Sequence, residues 1–293
     1  MYDKAGSELY ERIMDLDEYY LVASEFSSLE NSKKQISEML KSLPFNLIEL
    51  GAGNGAKTKV LLKQLMEDKR KFTYIPVDIS EDAMQGLVDA LNLEIPGLDT
   101  KGLVADYFDA LDKIKQQKNG KHNLVLFLGS NIGNFNFQDA VNFIFSLWSS
   151  LNYGDFVLIG FDLRKDIDQM VAAYNDSHGV TAKFNLNLLE RINRDLGGNF
   201  DVTKFKHYEP YNIKTGAMES YLISLEDQDV YIENLEKTFH FERWEPIFVE
   251  HSFKYTLADV EKLANITGFR IENHFYDDKN WFLDSLWCVK KGK

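Results

Sequence analysis

Glu49-Leu50-Gly51-Ala52-Gly53-Asn54-Gly55-Ala56-Lys57 follows an apolar run, Asn46–Leu50, and opens a stretch, 56–68, with apolar residues at helical spacing. A strand that passes through three glycines into a helix is the strand-to-helix turn of a doubly wound α/β sheet. Glycines there let the backbone approach a ligand at the carboxyl edge of the strands. Gly51, Gly53 and Ala56 also fit the spacing of a nicotinamide dinucleotide turn, and an ordinary tight turn would carry the same glycines. The turn sets the fold class before it sets the ligand.

Outward from it the alternation continues: strand Phe72–Asp78, helix 81–92, strand Gly102–Asp106, strand Asn123–Gly129, a helix at about 137–151 and strand Phe156–Asp162. Strands alternating with helices predict a mostly parallel sheet covered on both faces. Upstream, Leu9, Ile13 and Leu16, then Leu29, Ile36, Met39 and Leu40, predict two helices within 8–42, with Pro44 marking the boundary. After Arg164 the rhythm changes. A helical stretch near 182–196 precedes strand-like segments around 218–225, 228–240 and 245–253, whose short connections predict antiparallel pairing. The first pattern resumes with a helix at about 257–267 ended by Gly268, then strands Phe269–Tyr276 and Leu283–Lys290. The α/β domain, 36–164 plus 255–293, is therefore interrupted by a smaller unit, 1–35 plus 165–254.

The chain's 293 residues suffice for a large core, and 27% charged residues with ordinary apolar content mark a globular protein. No apolar run approaches the roughly 20 residues that cross a bilayer, and Asp3, Glu8, Glu11 and Asp15 are unlike a signal peptide, so a cytoplasmic protein with no membrane partner is expected. A net charge of −13 argues against nucleic acid, whose phosphates need Lys and Arg, and favours a small-molecule substrate. A monomer is expected. The single cysteine, Cys288, excludes a disulfide framework, and the six histidines lack metal-ligand spacing, so no metal site is expected.

Three acids flank the edge where the glycine turn opens. Glu49, just before the turn, would sit beside a positively charged ligand; Asp78, at a strand end, would accept from ribose hydroxyls; Asp106-Tyr107 would bracket a base with an acceptor and an aromatic face. That set favours a sulfonium nucleoside, S-adenosylmethionine, although each acid could instead cap a helix. The fourth strand ends in Phe127-Leu128-Gly129-Ser130-Asn131-Ile132-Gly133-Asn134, where Asn134 can position an amine without protonating it. An asparagine in left-handed turn geometry is the competing account of Asn134.

With these residues in view, the chain resembles the histidine-specific S-adenosylmethionine-dependent methyltransferases, whose best-known members trimethylate the α-amine of L-histidine in ergothioneine biosynthesis. The resemblance spans nearly the whole chain. It is carried by Tyr2-Asp3 with Gly6-Ser7-Glu8-Leu9, Glu18-Tyr19-Tyr20, Glu49-Leu50-Gly51 with Lys57-Thr58, and Pro76-Val77-Asp78-Ile79-Ser80. It extends through Phe127-Leu128-Gly129-Ser130 with Ile132-Gly133-Asn134, Ala173-Tyr174-Asn175-Asp176, Gly179-Val180-Thr181-Ala182 with Phe184-Asn185, and Glu250-His251-Ser252. It implies a class I methyltransferase, Rossmann-like α/β domain at 36–164 plus 255–293 and a substrate domain at 1–35 plus 165–254. Gly51, Lys57, Asp78, Asp106 and Tyr107 would contact the cofactor, joined by Glu49 and Gly53 of the turn. Tyr2, Tyr19, Asn134, Tyr174, Glu250 and Ser252 would line the amino-acid pocket, with Asn134 and Tyr19 as the catalytic candidates.

Two departures bear on the substrate. Relatives carry a Pro-Thr-Arg-Thr-Glu-like run where this chain has Leu21-Val22-Ala23-Ser24-Glu25, and often a methionine in place of Ser220. Relatives also commonly carry a segment upstream of Tyr2 that helps close the site, and a chain without it is expected to lose activity. The implied chemistry is in-line transfer of a methyl to a neutral amine, achieved mainly by positioning. A wall from Tyr2, Tyr10, Tyr19 or Tyr20 would stabilise a methylated ammonium by cation–π contact, while Tyr10, spaced with Ile13 and Met14, reads as a packing residue. The competing functions are the same chemistry on tryptophan or a histidine derivative, a non-catalytic cofactor-binding protein, and a nicotinamide oxidoreductase.

Overall fold

The computed structural model describes residues 3–40, 44–116 and 120–291. Two helices, α1 (Lys4–Met14) and α2 (Leu21–Met39), open the chain. Then come β1 (Phe45–Leu50), α3 (Thr58–Glu67), β2 (Phe72–Asp78), α4 (Glu81–Glu94), β3 (Leu103–Val104) and α5 (Tyr107–Gln116). The alternation continues with β4 (His122–Phe127), α6 (Phe137–Ser150) and β5 (Phe156–Asp162). Helices α7 (Ile167–Tyr174) and α8 (Val180–Leu196) lead into β6 (Phe205–Tyr208), β7 (Tyr211–Asn212), β8 (Ala217–Ser224), β9 (Gln228–Ile232), β10 (Lys237–Phe241) and β11 (Pro246–Phe253). Last are α9 (Leu257–Ile266), β12 (Phe269–Tyr276) and β13 (Phe282–Val289).

These elements fall into two compact units: Leu21–Arg164 with Tyr255–Lys293, and Met1–Tyr20 with Lys165–Lys254. The first division lies at Tyr20/Leu21 and not at the expected 35/36. Leu21–Met39 is one unbroken helix, and its Leu29 and Ile36 are buried in the core of the larger unit.

The larger unit is a seven-stranded sheet in the order β12-β13-β5-β4-β1-β2-β3. Its pairs are parallel except those made by β13, which runs against both β5 and β12. From β1 the chain steps outward to β2 and β3, then returns to β4 on the other side of β1. The carboxyl ends of β1 and β4 thus flank the switch point at which open α/β sheets bind ligands. Every residue of β1 is buried, as is Asn123–Phe127 of β4, because helices cover both faces. Leu47, Leu61, Leu124, Leu126 and Leu158 form the centre of that core.

The expected strand Gly102–Asp106 shrinks to Leu103–Val104. Asp106 leaves it to cap α5, accepting the Asp109 N–H at 2.9 Å, a helix absent from the sequence reading. Gly268, at φ +86, follows the α9 C-cap Thr267; a Cβ there would stand 2.8 Å from Trp148 Nε1.

In the smaller unit α1 packs on α8 through Ile13, Val180 and Phe184, and Tyr10 lies 6.0 Å from Phe184, a packing role. β11, β8 and β6 form an antiparallel sheet, with β7 also paired to β8. The expected strand 228–240 is instead a hairpin. β9 and β10 pair antiparallel around a turn at Glu233–Leu235, which closes on left-handed Glu236 (φ +50). β6 and β7, at four and two residues, are too short to show a period, and α7 begins at a cap, Asp166, that a run of only eight helical residues did not make legible. Among the described residues no helix is long and apolar enough to cross a membrane.

Candidate active site

In the larger unit the turn after β1 is pinned from two sides. Gly51 and Ala52 donate to the Val77 carbonyl at 2.9 and 3.1 Å, and Gly53 N donates to Asp78 Oδ2 at 3.0 Å. Asp78 Oδ1 accepts from Ser80 N at 3.1 Å, and Ser80 rather than Asp78 caps α4. A carboxylate accepts at about four positions, so Asp78 keeps capacity for a ribose diol. Gly51 (φ +74) and Gly53 (φ +51) are both left-handed, which bars most side chains. A Cβ at Gly53 would meet nothing within 4 Å, so that backbone is bare to an approaching ligand. A Cβ at Gly51 would stand 2.9 Å from Tyr107 Oη and 3.5 Å from Asn131 Nδ2. Those two groups face the turn from α5 and from the segment after β4.

Tyr107 rests edge-on against Phe127 (5.5 Å) and at a tilt of 56° against Phe143 (5.8 Å). Burial, then the Asp78 charge, pushes its hydroxyl up to about 12, so it remains a neutral donor. Lys57, in the glycine turn, forms an ion pair with Glu25 of α2, whose other oxygen accepts Gly129 N at 2.6 Å. Gly160 of β5 makes room for this arrangement, since a Cβ there would collide with Glu25 Oε1. Asn131 and Glu25 were not foreseen. Asn131 lies in the noted strand-four stretch, whereas Glu25 sits on a helix far upstream and no spacing signals it.

Two sequence readings take a different form in the structure. Glu49, expected beside a cationic ligand, is 5% exposed, and Thr58 Oγ1 (2.5 Å) and Tyr74 Oη donate to its oxygens. Burial raises its pKa to about 7, and its two bonds make it a strut beneath the turn. The left-handed residue after β4 is Ser130 (φ +53), whose Oγ accepts Asp162 N at 3.0 Å. Asn134 is the exposed last residue of the 3₁₀ turn Asn131–Asn134, tied down where Tyr255 Oη donates to the Ile132 carbonyl at 3.1 Å.

The smaller unit brings together Tyr19, Tyr174 and Ser252. The rings of Tyr19 and Tyr174 meet edge-on at 6.0 Å, and Tyr174 Oη lies 3.0 Å from Ser252 Oγ. Lys254, also unforeseen, donates to both oxygens. Glu250 alternates with Ser252 to the same side of β11, past an irregularity between Phe248 and Glu250, and pairs across the sheet with Ser220. Ser220 donates to Glu209, a 6% exposed carboxyl that burial raises to about 8, with the Glu250 charge adding to the rise. Burial likewise raises Glu250. Beneath them His207 is held neutral by burial: Nε2 donates to the Tyr174 carbonyl (3.1 Å) and Nδ1 accepts from Asn185 Nδ2 (3.1 Å). Tyr20 does not join Tyr19, because its hydroxyl and ring face take the Lys165 ammonium at 2.9 and 4.1 Å. Tyr2 lies outside the described residues.

The bare glycine turn, the Asp78 acceptor and the Tyr107 hydroxyl suit a nucleoside carrying ribose and a polar tail. The tyrosine, serine and carboxylate cluster suits a small polar amine. Comparison with known proteins agrees with that chemistry. Residues 1–289 match the family model of SAM-dependent histidine-specific methyltransferases. Histidine N-alpha-methyltransferase of Mycolicibacterium smegmatis is 32% identical over 277 residues, covering 94% of this chain and 84% of that protein. The protein of the same name from Mycobacterium tuberculosis is 33% identical, covering 87% and 78%. The L-tryptophan methyltransferase trpM of Psilocybe serbica is 27% identical, covering 95% and 84%. The chain is a class I, S-adenosylmethionine-dependent methyltransferase and belongs to the histidine-specific methyltransferase family.

Proposed function

We propose that this enzyme methylates the α-amine of free L-histidine, in one to three successive transfers. The observation that carries the reading is the polar cluster of Tyr174, Ser252, Lys254 and Glu250, which offers both donors and acceptors to a side chain with two ring nitrogens. Gly51, Gly53, Lys57, Asp78, Asp106 and Tyr107 hold S-adenosylmethionine in this reading. Asp106 would do so while capping α5, because its second oxygen is left over from the cap.

The cofactor supplies an electrophilic methyl on a sulfonium. When bound, S-adenosylmethionine would supply that methyl to the neutral amine and depart as S-adenosylhomocysteine, the amine giving up a proton to water before each transfer. No covalent enzyme intermediate is needed, and well-oriented systems gain roughly 7–11 kcal/mol from positioning alone. Asn134 and Tyr19 are the residues that orient the amine, and the Tyr19 ring meets a methylated ammonium with its π-face. The same reading takes the chain as a cytoplasmic monomer acting on a free amino acid rather than on nucleic acid, supported by the net charge of −13 and the single cysteine.

Calorimetric titration of histidine, then tryptophan, into protein saturated with S-adenosylhomocysteine tests it, followed by mass spectrometry of products made with S-adenosylmethionine. Histidine binding with mono-, di- and trimethylated histidine is the expected result. Binding and methylation of tryptophan alone would mean that the Ser220–Glu209 pair has redirected the pocket. Cofactor binding without any methylated product would mean a protein that has kept the fold and lost turnover.

A further inference from the structure

Lys254, the residue after β11, is 1% exposed, so its ammonium is withdrawn from water and needs acceptors for its hydrogens. Its Nζ donates to Tyr174 Oη at 2.7 Å and to Ser252 Oγ at 2.9 Å, and stands 4.4 Å over the Tyr174 ring. Tyr174 Oη and Ser252 Oγ lie 3.0 Å apart. The three groups close a hydrogen-bonded ring.

An ammonium only donates, so both hydroxyl oxygens must accept from it. Two hydroxyls bring two hydrogens, and one lies between the oxygens. The pair therefore turns at most one hydroxyl hydrogen outward, and the direction of the Tyr174–Ser252 bond decides which oxygen offers it. Reversing that bond converts Ser252 from donor to acceptor without moving Lys254. Without the ammonium the two hydroxyls would be held only by their bond to each other, and more of the ordering entropy would fall on substrate binding.

This inference rests on the reading of Tyr174 and Ser252 as amino-acid ligands. We propose that Lys254 is a positioning residue, whose ammonium holds Tyr174 and Ser252 together as a coupled hydroxyl pair that turns one hydroxyl hydrogen to a polar side chain of the substrate. Lys254→Met keeps the stem and removes donors and charge; Lys254→Arg restores both in a different shape. Histidine KM should rise about tenfold in Lys254→Met, equivalent to about 1.4 kcal/mol. kcat should stay within about threefold, S-adenosylhomocysteine affinity should be unchanged, and Lys254→Arg should recover part of the loss.

The deciding measurement is a mutant cycle. In a Tyr174→Phe/Ser252→Ala background, Lys254→Met should raise KM by no more than about twofold further, because the groups it orients are gone. Additive losses, or an equal loss of S-adenosylhomocysteine affinity, would overturn the proposal. If Lys254→Met does not fold, Lys254→Arg and Lys254→Gln carry the same cycle. Wild-type protein that makes no methylhistidine would sink the substrate reading instead; wild-type protein that makes it, with an additive cycle, would sink only the positioning role.

Discussion

At the scale of single residues, Glu25 carries more of the cofactor site than its place on an N-terminal helix suggests. It is fully buried, paired with Lys57 and bonded to Gly129 N, so it sets both the lysine of the glycine turn and the backbone after β4. Only the Glu25 side of this pair is buried and Lys57 is a quarter exposed, so losing the carboxylate costs less than the breaking of a fully buried pair while still loosening the lysine and the Gly129 backbone. Glu25→Gln should therefore lower the melting temperature and weaken S-adenosylhomocysteine binding about tenfold or more by calorimetry. Unchanged affinity would remove Lys57 from the cofactor site. Tyr19 makes a narrower claim. Losing its hydroxyl removes at most one hydrogen bond, about 1 kcal/mol, so Tyr19→Phe should raise histidine KM about fivefold and leave stability alone. Substrate affinity and turnover equal to wild type would strip Tyr19 of its proposed role.

At the scale of elements, the packing of α2 on the sheet depends on a missing side chain. Gly160 lies in the middle of β5, where glycine normally weakens a strand, and the space its side chain would fill holds the Glu25 carboxylate. Its neighbour across the sheet, Asp284 of β13, is wholly buried. Burial, with the Glu25 charge second, raises Asp284 well above the usual carboxylate range. Gly160→Ala should cost about 1–3 kcal/mol by overpacking and displace Glu25 from Gly129. Denaturant unfolding should show the lost stability, and S-adenosylhomocysteine affinity should fall as in Glu25→Gln. A variant with intact affinity would mean that α2 shifts without disturbing the turn. The sequence left the caps at this scale open: each of Glu49, Asp78 and Asp106 could have capped a helix, and of the three it is Asp106 that opens α5, while Ser80 caps α4 and Thr256 caps α9.

For the whole molecule, stability should depend on pH through its buried acids. Glu49 and Glu209 have folded pKa values near 7 and 8, above the ordinary 4.5, so the folded state binds more protons than the unfolded chain between those limits. Stability then falls as pH rises through that window. His207, lowered by burial, acts the other way, but only below about 6.5, and Asp3 and Asp176, both lowered, have finished titrating by then. The melting temperature should therefore drop by several degrees from pH 6.5 to 8.5, and Glu209→Gln should remove part of the drop. A flat profile in the wild type would mean that neither acid is raised. The sequence by itself determined the doubly wound class, the glycine turn, the strand end that carries Asp78 and the strand-four stretch that carries Asn134, because these follow from local periodicity and from residues adjacent in the chain. Only the tertiary structure decided that Glu49 is a strut, that Asp106 caps a helix, that Glu25 meets Lys57, and that Lys254 ties Tyr174 to Ser252. Each of those depends on burial or on a partner supplied by another element, and no spacing along the chain encodes either.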